Sequence, residues 1–434
     1  MHQIIDVAGI FDARLNELAQ KAIAQVRPLF DAIDATSMCN QQRVLEAFRE
    51  HRVSNFHFNY ATGYGYDDEG RDVVERVFAT TFGSDKAIVR PQIVSGTHAI
   101  SIALFGILRP GDVFVSITGE PYQTLNGIIG ASKPTPGCLA EWGVEYLELP
   151  LKAFGLENGT VDIEGIRKRF QRPIKLAYIQ RSRGYLLKRK SLSAEEVGRM
   201  VRIVKEVSPD TLCLVDNCYG EFVSTKEPTH FGADLAVGSL IKNPGGGLAI
   251  TGGYICGRSE LISLIASRLM GPGLGLNIGP SLGTNRFSLQ GLFVAPHVVA
   301  QALKGAIFAA KLAEMLGFEV FPKAEDQRGD IVQTIVFGKR EQMLAFCRGV
   351  QRGSPVNSHV KPEPAQLPGY QDPIIMAAGT FVEGSSIELS ADGVVSPPYA
   401  VFLQGGLTFE HIVLGVLYGF QEMLDENLLS LQGT

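Results

Sequence analysis

Leu15, Leu18, Ala22 and Val26 recur at helical spacing, and a second helical period runs from Gln41 to His51, so residues 11–51 are expected to form helices. A glycine- and tyrosine-rich stretch, YATGYGYDDEGR at 60–71, interrupts this pattern before another helical run, DVVERVFATTFG. From about residue 87 to 256 the pattern changes to short β-branched runs alternating with helical ones. The strands expected are 87–94, 113–117, 144–149, 175–180, 212–216, 235–239 and 252–256. Between two of them, SLSAEEVGRMVRIVKEV (191–207) carries Ser193 three residues before Glu196, a capping box that opens an amphipathic helix. This alternation predicts βαβ units and a mostly parallel, buried sheet.

Beyond the glycine-rich connection GPGLGLNIGPSLG (271–283), the run PHVVAQALKGAIFAAKLAEMLG (296–317) is expected to be a helix. IVQTIVFG (331–338), REQMLAFCRGV (340–350), SSIELSA (385–391), PPYAVFLQGG (397–406) and a last amphipathic helix from Thr408 predict a smaller α+β unit. Residues 353–373, with five prolines, are expected to be an ordered excursion. The resulting division is an N-terminal helical arm (1–60), a large α/β domain (61–290) and a small C-terminal α+β domain (291–434).

Composition narrows the function classes. The 434 residues hold 40 Lys and Arg against 45 Asp and Glu, and the net charge of -5 provides no basic field for nucleic acid. The six cysteines form no CxxC pair and show no metal-ligand spacing, so most are expected to be buried small hydrophobes. Asp6, Asp12, Arg14 and Glu17 break the plan of a secretory signal, and charges interrupt every apolar run before the ~20 residues a bilayer span needs. A cytoplasmic protein without a membrane segment is expected.

In open α/β sheets ligands sit at the carboxyl ends of the strands, and three such ends carry chemistry here. Ser95-Gly96-Thr97-His98 opens an apolar helix, where backbone N–H groups and the Thr97 hydroxyl suit a phosphate or simply form a tight turn. Asp216 ends an apolar strand, as a cap or as a buried carboxylate awaiting a cation. Ser239 and Lys242 follow the next strand, where a lysine is either a solvated charge or a reactive amine.

Together, Asp216 and Lys242, 26 residues apart, with a Ser-Gly-Thr turn upstream, resemble the pyridoxal-phosphate enzymes of the aspartate-aminotransferase fold, fold type I. The resemblance implies that Lys242 forms the Schiff base and acts as general base, and that Asp216 pairs with the pyridinium nitrogen. It implies that Ser239 joins Ser95, Gly96 and Thr97 around the phosphate, and that Tyr122 stacks on the cofactor ring and assists a departing thiol. More narrowly, QRSRGY (180–185), VDNCYGEF (215–222), SLIKNPGGG (239–247), GTFVEGSSIELSADG (379–393) and PPYAVFLQGG (397–406) resemble the methionine gamma-lyase-like family, also labelled aluminium resistance protein. No compact carboxylate cluster supports aluminium binding.

That family resemblance implies pyridoxal 5'-phosphate as cofactor, an amino-acid substrate and a homodimer or homotetramer. In cystathionine-lyase relatives a tyrosine and an arginine reach the phosphate of a neighbouring subunit. Tyr64 and Tyr66 fall there, but Arg71 follows Tyr66 by five residues rather than two, so a tyrosine-rich packing loop is the alternative. No arginine follows Arg352, so the usual C-terminal partner of the substrate carboxylate is missing. Arg181 and Arg183, directly after strand 175–180, are the replacements, with Arg183 preferred beside Gly184; solvated loop charges or cofactor ligands are the alternatives.

The function expected is β- or γ-elimination from a sulfur-containing amino acid. The same residues would serve an aminotransferase or racemase, or a non-catalytic cofactor-binding regulatory protein. A nicotinamide-dependent dehydrogenase would need GxGxxG directly after an early strand, and none is present.

Overall fold

The computed structural model describes residues 9–131, 134–156, 159–187, 189–366 and 372–431. Asp6 and part of the proline-rich stretch, residues 367–371, lie outside the described residues. The chain begins with α1 (Ala13–Glu50), whose cap, Asp12, accepts from the backbone of Arg14 and Leu15. The two periodic stretches are therefore one helix running through Pro28. Pro28 removes a helical hydrogen bond, and burial of Val26 and Phe30 on either side holds the helix together there.

Then follow α2 (Glu69–Phe82), β1 (Lys86–Arg90), α3 (Gly96–Ile107), β2 (Val113–Ser116), α4 (Gln123–Ile129), β3 (Glu145–Glu148), α5 (Ile163–Arg169), β4 (Leu176–Gln180), α6 (Ala194–Val207), β5 (Leu212–Asp216), β6 (Leu235–Ser239), β7 (Gly253–Gly257) and α7 (Ser259–Met270). The strands form a seven-stranded sheet in the order β1-β7-β6-β5-β4-β2-β3, parallel except for β7. Every residue of β4, β5 and β6 is buried, as strands covered on both faces require. Alternate residues serve opposite cores: Leu176, Tyr178, Leu212 and Leu214 on one face, Ala177, Ile179, Cys213 and Val215 on the other. The capping box of α6 is formed, Ser193 and Glu196 each bonding the other's backbone N–H.

α8 (Asn285–Met315) starts eleven residues before the expected helix and carries Pro296 in its interior. Its first half packs with the large domain through Leu289, Leu292 and Val299, and its second half with the small one through Phe308 and Leu312. It also corrects the expectation about apolar length. Phe287 to Leu303 is uncharged, and α8 is long and apolar enough to cross a membrane, yet most of that window is buried inside the fold, as in a core helix.

The small domain contains β8 (Glu319–Phe321), β9 (Gln333–Val336), α9 (Arg340–Arg352), β10 (Ile374–Ala377), β11 (Ser390–Val394), β12 (Ala400–Gln404) and α10 (Phe409–Asp425). Its antiparallel sheet has the order β10-β11-β12-β9-β8. Within the segment 385–391 only Ser390 and Ala391 belong to a strand. Before it, Glu388 accepts from the backbone of Phe381 and Val382, which holds that segment in a loop. β8 and β10 are too short to announce themselves by pattern. α1 straps both units, with Leu15, Ala22 and Phe30 in the small-domain core and Val44 and Ala47 in the large one. All six cysteines are free, five of them buried and Cys39 exposed.

Candidate active site

The carboxyl ends of β1, β2, β4, β5 and β6 converge. A side-chain carbon added at Gly96 would lie 3.1 Å from Cys218 Sγ and 3.4 Å from Ser239 Cβ, so the first turn of α3 abuts the ends of β5 and β6. Ser95 caps α3 by accepting from the His98 N–H at 3.0 Å and keeps its own O–H free to donate elsewhere. Tyr122, in the loop after β2, donates its phenol hydrogen to Thr97 Oγ1 at 2.9 Å, and its backbone N–H donates to Gln180 Oε1 at 2.9 Å. Ser95, Gly96, Thr97, Tyr122 and Ser239 are thus brought to one place.

Asp216 closes β5 and is buried. Its Oδ1 accepts from the Cys218 N–H at 3.2 Å and its Oδ2 from the Tyr178 hydroxyl at 3.3 Å. Burial raises its pKa, opposed first by the charge of Lys242 and then by these hydrogen bonds. Lys242 follows β6 by three residues, its Nζ 3.9 Å from the centre of the Tyr219 ring. Burial works against its charge, but Cys218, Tyr219, Asp216 and Tyr122 together outweigh it and hold the Lys242 pKa well above the ordinary value. Burial, then Asp216, raises the Tyr122 phenol pKa, so the hydroxyl is a donor at neutral pH.

The remaining expected residues are placed differently. Tyr64 and Tyr66 stack on each other at 5.6 Å and are 73% and 64% exposed, so they face outward. Arg71 is buried, its Nη1 donating to Gly65 O and Gly279 O, which pins the loop. Arg181 corrects the sequence expectation. It is fully buried, its Nε donating to Leu192 O and its Nη1 to Asn217 Oδ1 at 2.7 Å, with Glu227 Oε2 at 3.5 Å. Its guanidinium holds the loops behind the sheet edge together. Arg183 is also buried and spans the domains, Nη1 donating to Phe321 O at 2.9 Å and Thr334 Oγ1 at 3.4 Å. The Arg181 backbone N–H donates to Asp216 O at 3.1 Å, but among the described residues no side-chain hydrogen bond or ion pair joins either guanidinium to Asp216 or Lys242.

Other groups at the site escaped the sequence reading. Tyr219 lies three residues after Asp216, a spacing that could have flagged it. Tyr178 and Gln180 sit inside β4, where a polar residue among apolar ones was the available signal. Asp392, from β11, accepts from Tyr185 Oη at 2.8 Å and from Gln404 Nε2 at 3.1 Å, and burial pushes its pKa up to about 6. No local pattern marks Asp392, which arrives from the other domain.

This donor set fits pyridoxal phosphate. The Gly96 turn leaves the space that a side chain would fill, with hydroxyls around it for a phosphate, while a half-buried lysine and a buried aspartate lie at the next strand ends. Residues 15–424 match the family model for methionine gamma-lyase. The chain is similar to the uncharacterized protein YnbB of Bacillus subtilis, 46% identical over 96% of this chain and 98% of that protein. It is similar to the crystal structure of a Listeria monocytogenes protein described as a candidate cystathionine beta-lyase involved in aluminium resistance, with 49% identity, a TM-score of 0.90 and coverage of 94% and 99% of the two chains. A Clostridium novyi structure described as a carbon-sulfur lyase involved in aluminium resistance shows 44% identity, a TM-score of 0.90 and coverage of 95% and 97%. A distant pyridoxal-phosphate-dependent protein, YhfS of Escherichia coli, at 17% identity and a TM-score of 0.60, shares the fold. With this match along nearly its whole length, and strand ends that fit the cofactor, the chain belongs to the methionine gamma-lyase family of pyridoxal-phosphate-dependent carbon–sulfur lyases, of fold type I.

Proposed function

We propose that the protein breaks the carbon–sulfur bond of a sulfur-containing amino acid of the methionine or cystathionine kind by β- or γ-elimination. The products are a thiol, a 2-oxo acid and ammonia. The observation that carries this reading is the convergence of Lys242, Asp216 and Tyr122 beside the first turn of α3. When bound, pyridoxal phosphate supplies a cationic, electron-withdrawing ring next to the substrate α-carbon.

Lys242 would hold the cofactor, and its amine, once free, would remove the α-proton of the substrate. Asp216, ionised beside a cation, keeps the ring nitrogen protonated, and the Tyr178 hydroxyl and Cys218 N–H keep the carboxylate oriented. The carbon–sulfur bond breaks with its electron pair leaving on sulfur, which takes a proton with the help of the Tyr122 hydroxyl. In the γ branch Lys242 would also remove a proton from the β-carbon, so that a β–γ double bond forms as the carbon–sulfur bond breaks, and would return a proton to the γ-carbon. The descriptions of the Listeria and Clostridium relatives support the same bond.

The test combines mapping and turnover. Borohydride reduction followed by peptide mass spectrometry is expected to find the cofactor on Lys242, and Lys242→Ala is expected to lose that adduct. Sulfur-containing amino acids are expected to release a 2-oxo acid with no amino acceptor added. Release that requires an acceptor would make the protein an aminotransferase, and a reduced cofactor on another lysine would overturn the role given to Lys242.

A further inference from the structure

Between the two domains lies a cavity of about 310 Å³, walled on one side by the loop after β4, with Arg183 and Arg189, and on the other by the turn after β8, with Asp326 and Gln327. The cationic groups here are poorly matched by the protein itself. Arg183 is only 3% exposed, yet its Nε has no hydrogen-bond partner. Arg189 donates from Nη1 to Glu120 O at 3.0 Å, while its buried Nη2 has no partner. Just behind the shared Asp326–Gln327 turn, buried Arg328 uses Nη2 on Gln333 Oε1 and leaves Nε and Nη1 without partners.

Leaving guanidinium nitrogens buried and unpaired is costly, and two buried guanidinium groups facing each other add repulsion. Burial and then the charge of Arg183 lower the Arg328 pKa to about 10. Three carboxylates act in the opposite direction. Asp330 is buried and spends its oxygens on the Val332 and Arg183 backbone N–H groups; Asp326 is exposed on the cavity wall; Glu314 acts more weakly on Arg328. Lys190, also on the wall, is engaged by Glu196. Asp216 and Glu120 also act on Arg189, yet Arg183 Nε, Arg189 Nη2 and the Nε and Nη1 of Arg328 have no protein acceptor.

We propose that this interdomain cavity binds a small oxyanion, a carboxylate or phosphate group, through Arg183 Nε and Arg189 Nη2. Guanidinium groups bind such anions by paired, charge-assisted hydrogen bonds. Because Arg183 already donates to β8 and β9 from the large domain, an anion held there ties the two domains together. The inference stands independently of the elimination reaction, although one source of the oxyanion is the carboxylate of the amino-acid substrate and the other is a free anion.

The probe is inorganic phosphate, added to the cofactor-loaded enzyme so that the Gly96 turn is already filled, with chloride at equal ionic strength as the control. The expected result is a saturable rise in melting temperature with phosphate and not with chloride. Arg183→Met is expected to abolish it, and Arg189→Met to raise the half-saturating phosphate concentration at least tenfold. Should Arg183→Met fail to fold, the Arg189→Met titration alone decides. A phosphate response that is absent in the parent protein, or unchanged in Arg189→Met, overturns the site. The source is read from kinetics: phosphate raising KM for the amino acid at constant kcat identifies the substrate carboxylate as the occupant, and an unchanged KM identifies a free oxyanion.

Discussion

Tyr122 and Thr97 are joined by a hydrogen bond of 2.9 Å that ties the loop after β2 to the first turn of α3. The bond fixes the direction of the phenol proton, because burial keeps the hydroxyl un-ionised and Thr97 is the acceptor. Thr97→Val removes that acceptor while conserving shape, and leaves a buried hydroxyl without a partner, at a cost of about 1–3 kcal/mol. The expected outcome is a fall in kcat of about tenfold or more at saturating cofactor, matching ~1.4 kcal/mol in the barrier. Steady-state rates of Thr97→Val and Tyr122→Phe on one thioether substrate check it; an unaffected Thr97→Val would mean that the tether does not serve turnover.

Asp216→Asn is expected to keep the cofactor but lose most turnover. The amide still accepts one hydrogen bond but cannot neutralise a protonated ring nitrogen, so the electron demand on the α-carbon weakens. Cofactor content by absorbance and 2-oxo acid release in the same preparation separate the two effects. Full activity in Asp216→Asn would remove the charge role of Asp216.

How far the chain itself announces this site depends on whether the signal is local. Asp216, Ser239 and Lys242 each end or follow a strand whose apolar run is plain in the sequence, so their convergence follows from the parallel sheet alone. Ser193 and Glu196 likewise mark a helix start within four residues. The pattern over 11–51 shows two periodic stretches where one helix runs through Pro28, and the pattern at 296–317 misses the first turns of a helix that starts at Asn285 and passes through Pro296, because burial on both sides of each proline decides the outcome. Asp392 and Arg328 reach their neighbours only after the small domain docks, and Arg181 looks like a crevice residue until Asn217 and Glu227 engage its guanidinium. Information of that kind lies in the tertiary pairing and not in any window of sequence.

The exposed aromatic loop predicts self-association. The Gly279 N–H donates to Tyr64 O, which joins the 60–66 and 274–283 loops, and Tyr60, Tyr64, Tyr66, Leu274 and Leu282 are all exposed on them. Apolar surface gathered in this way is characteristic of interfaces, and the predicted self-association rests on it. Sedimentation equilibrium is expected to show a homodimer or homotetramer, and the paired change Tyr64→Ala with Tyr66→Ala is expected to weaken both association and cofactor retention. A fully active monomer would refute the arrangement.

Glu221 predicts how stability changes with pH. Its Oε1 accepts from the Tyr254 hydroxyl at 2.8 Å, its Oε2 is buried without a partner, and burial pushes its pKa up to about 8 from an ordinary 4.5. A carboxyl whose pKa is raised on folding binds more protons in the native state than in the unfolded one across that interval. Its contribution is therefore intact below about pH 4.5, is lost progressively as pH rises through about 8, and changes no further above that. One such group changes stability by at most ~1.4 kcal/mol per pH unit. Glu221→Gln, which mimics the protonated carboxyl, is expected to flatten this component of the slope. Urea unfolding at pH 5, 7 and 9 is expected to give a parent protein that loses stability relative to Glu221→Gln as pH rises, with the gap widest at the alkaline end. A gap that stays constant from pH 5 to 9 would show that Glu221 does not titrate on unfolding in this range.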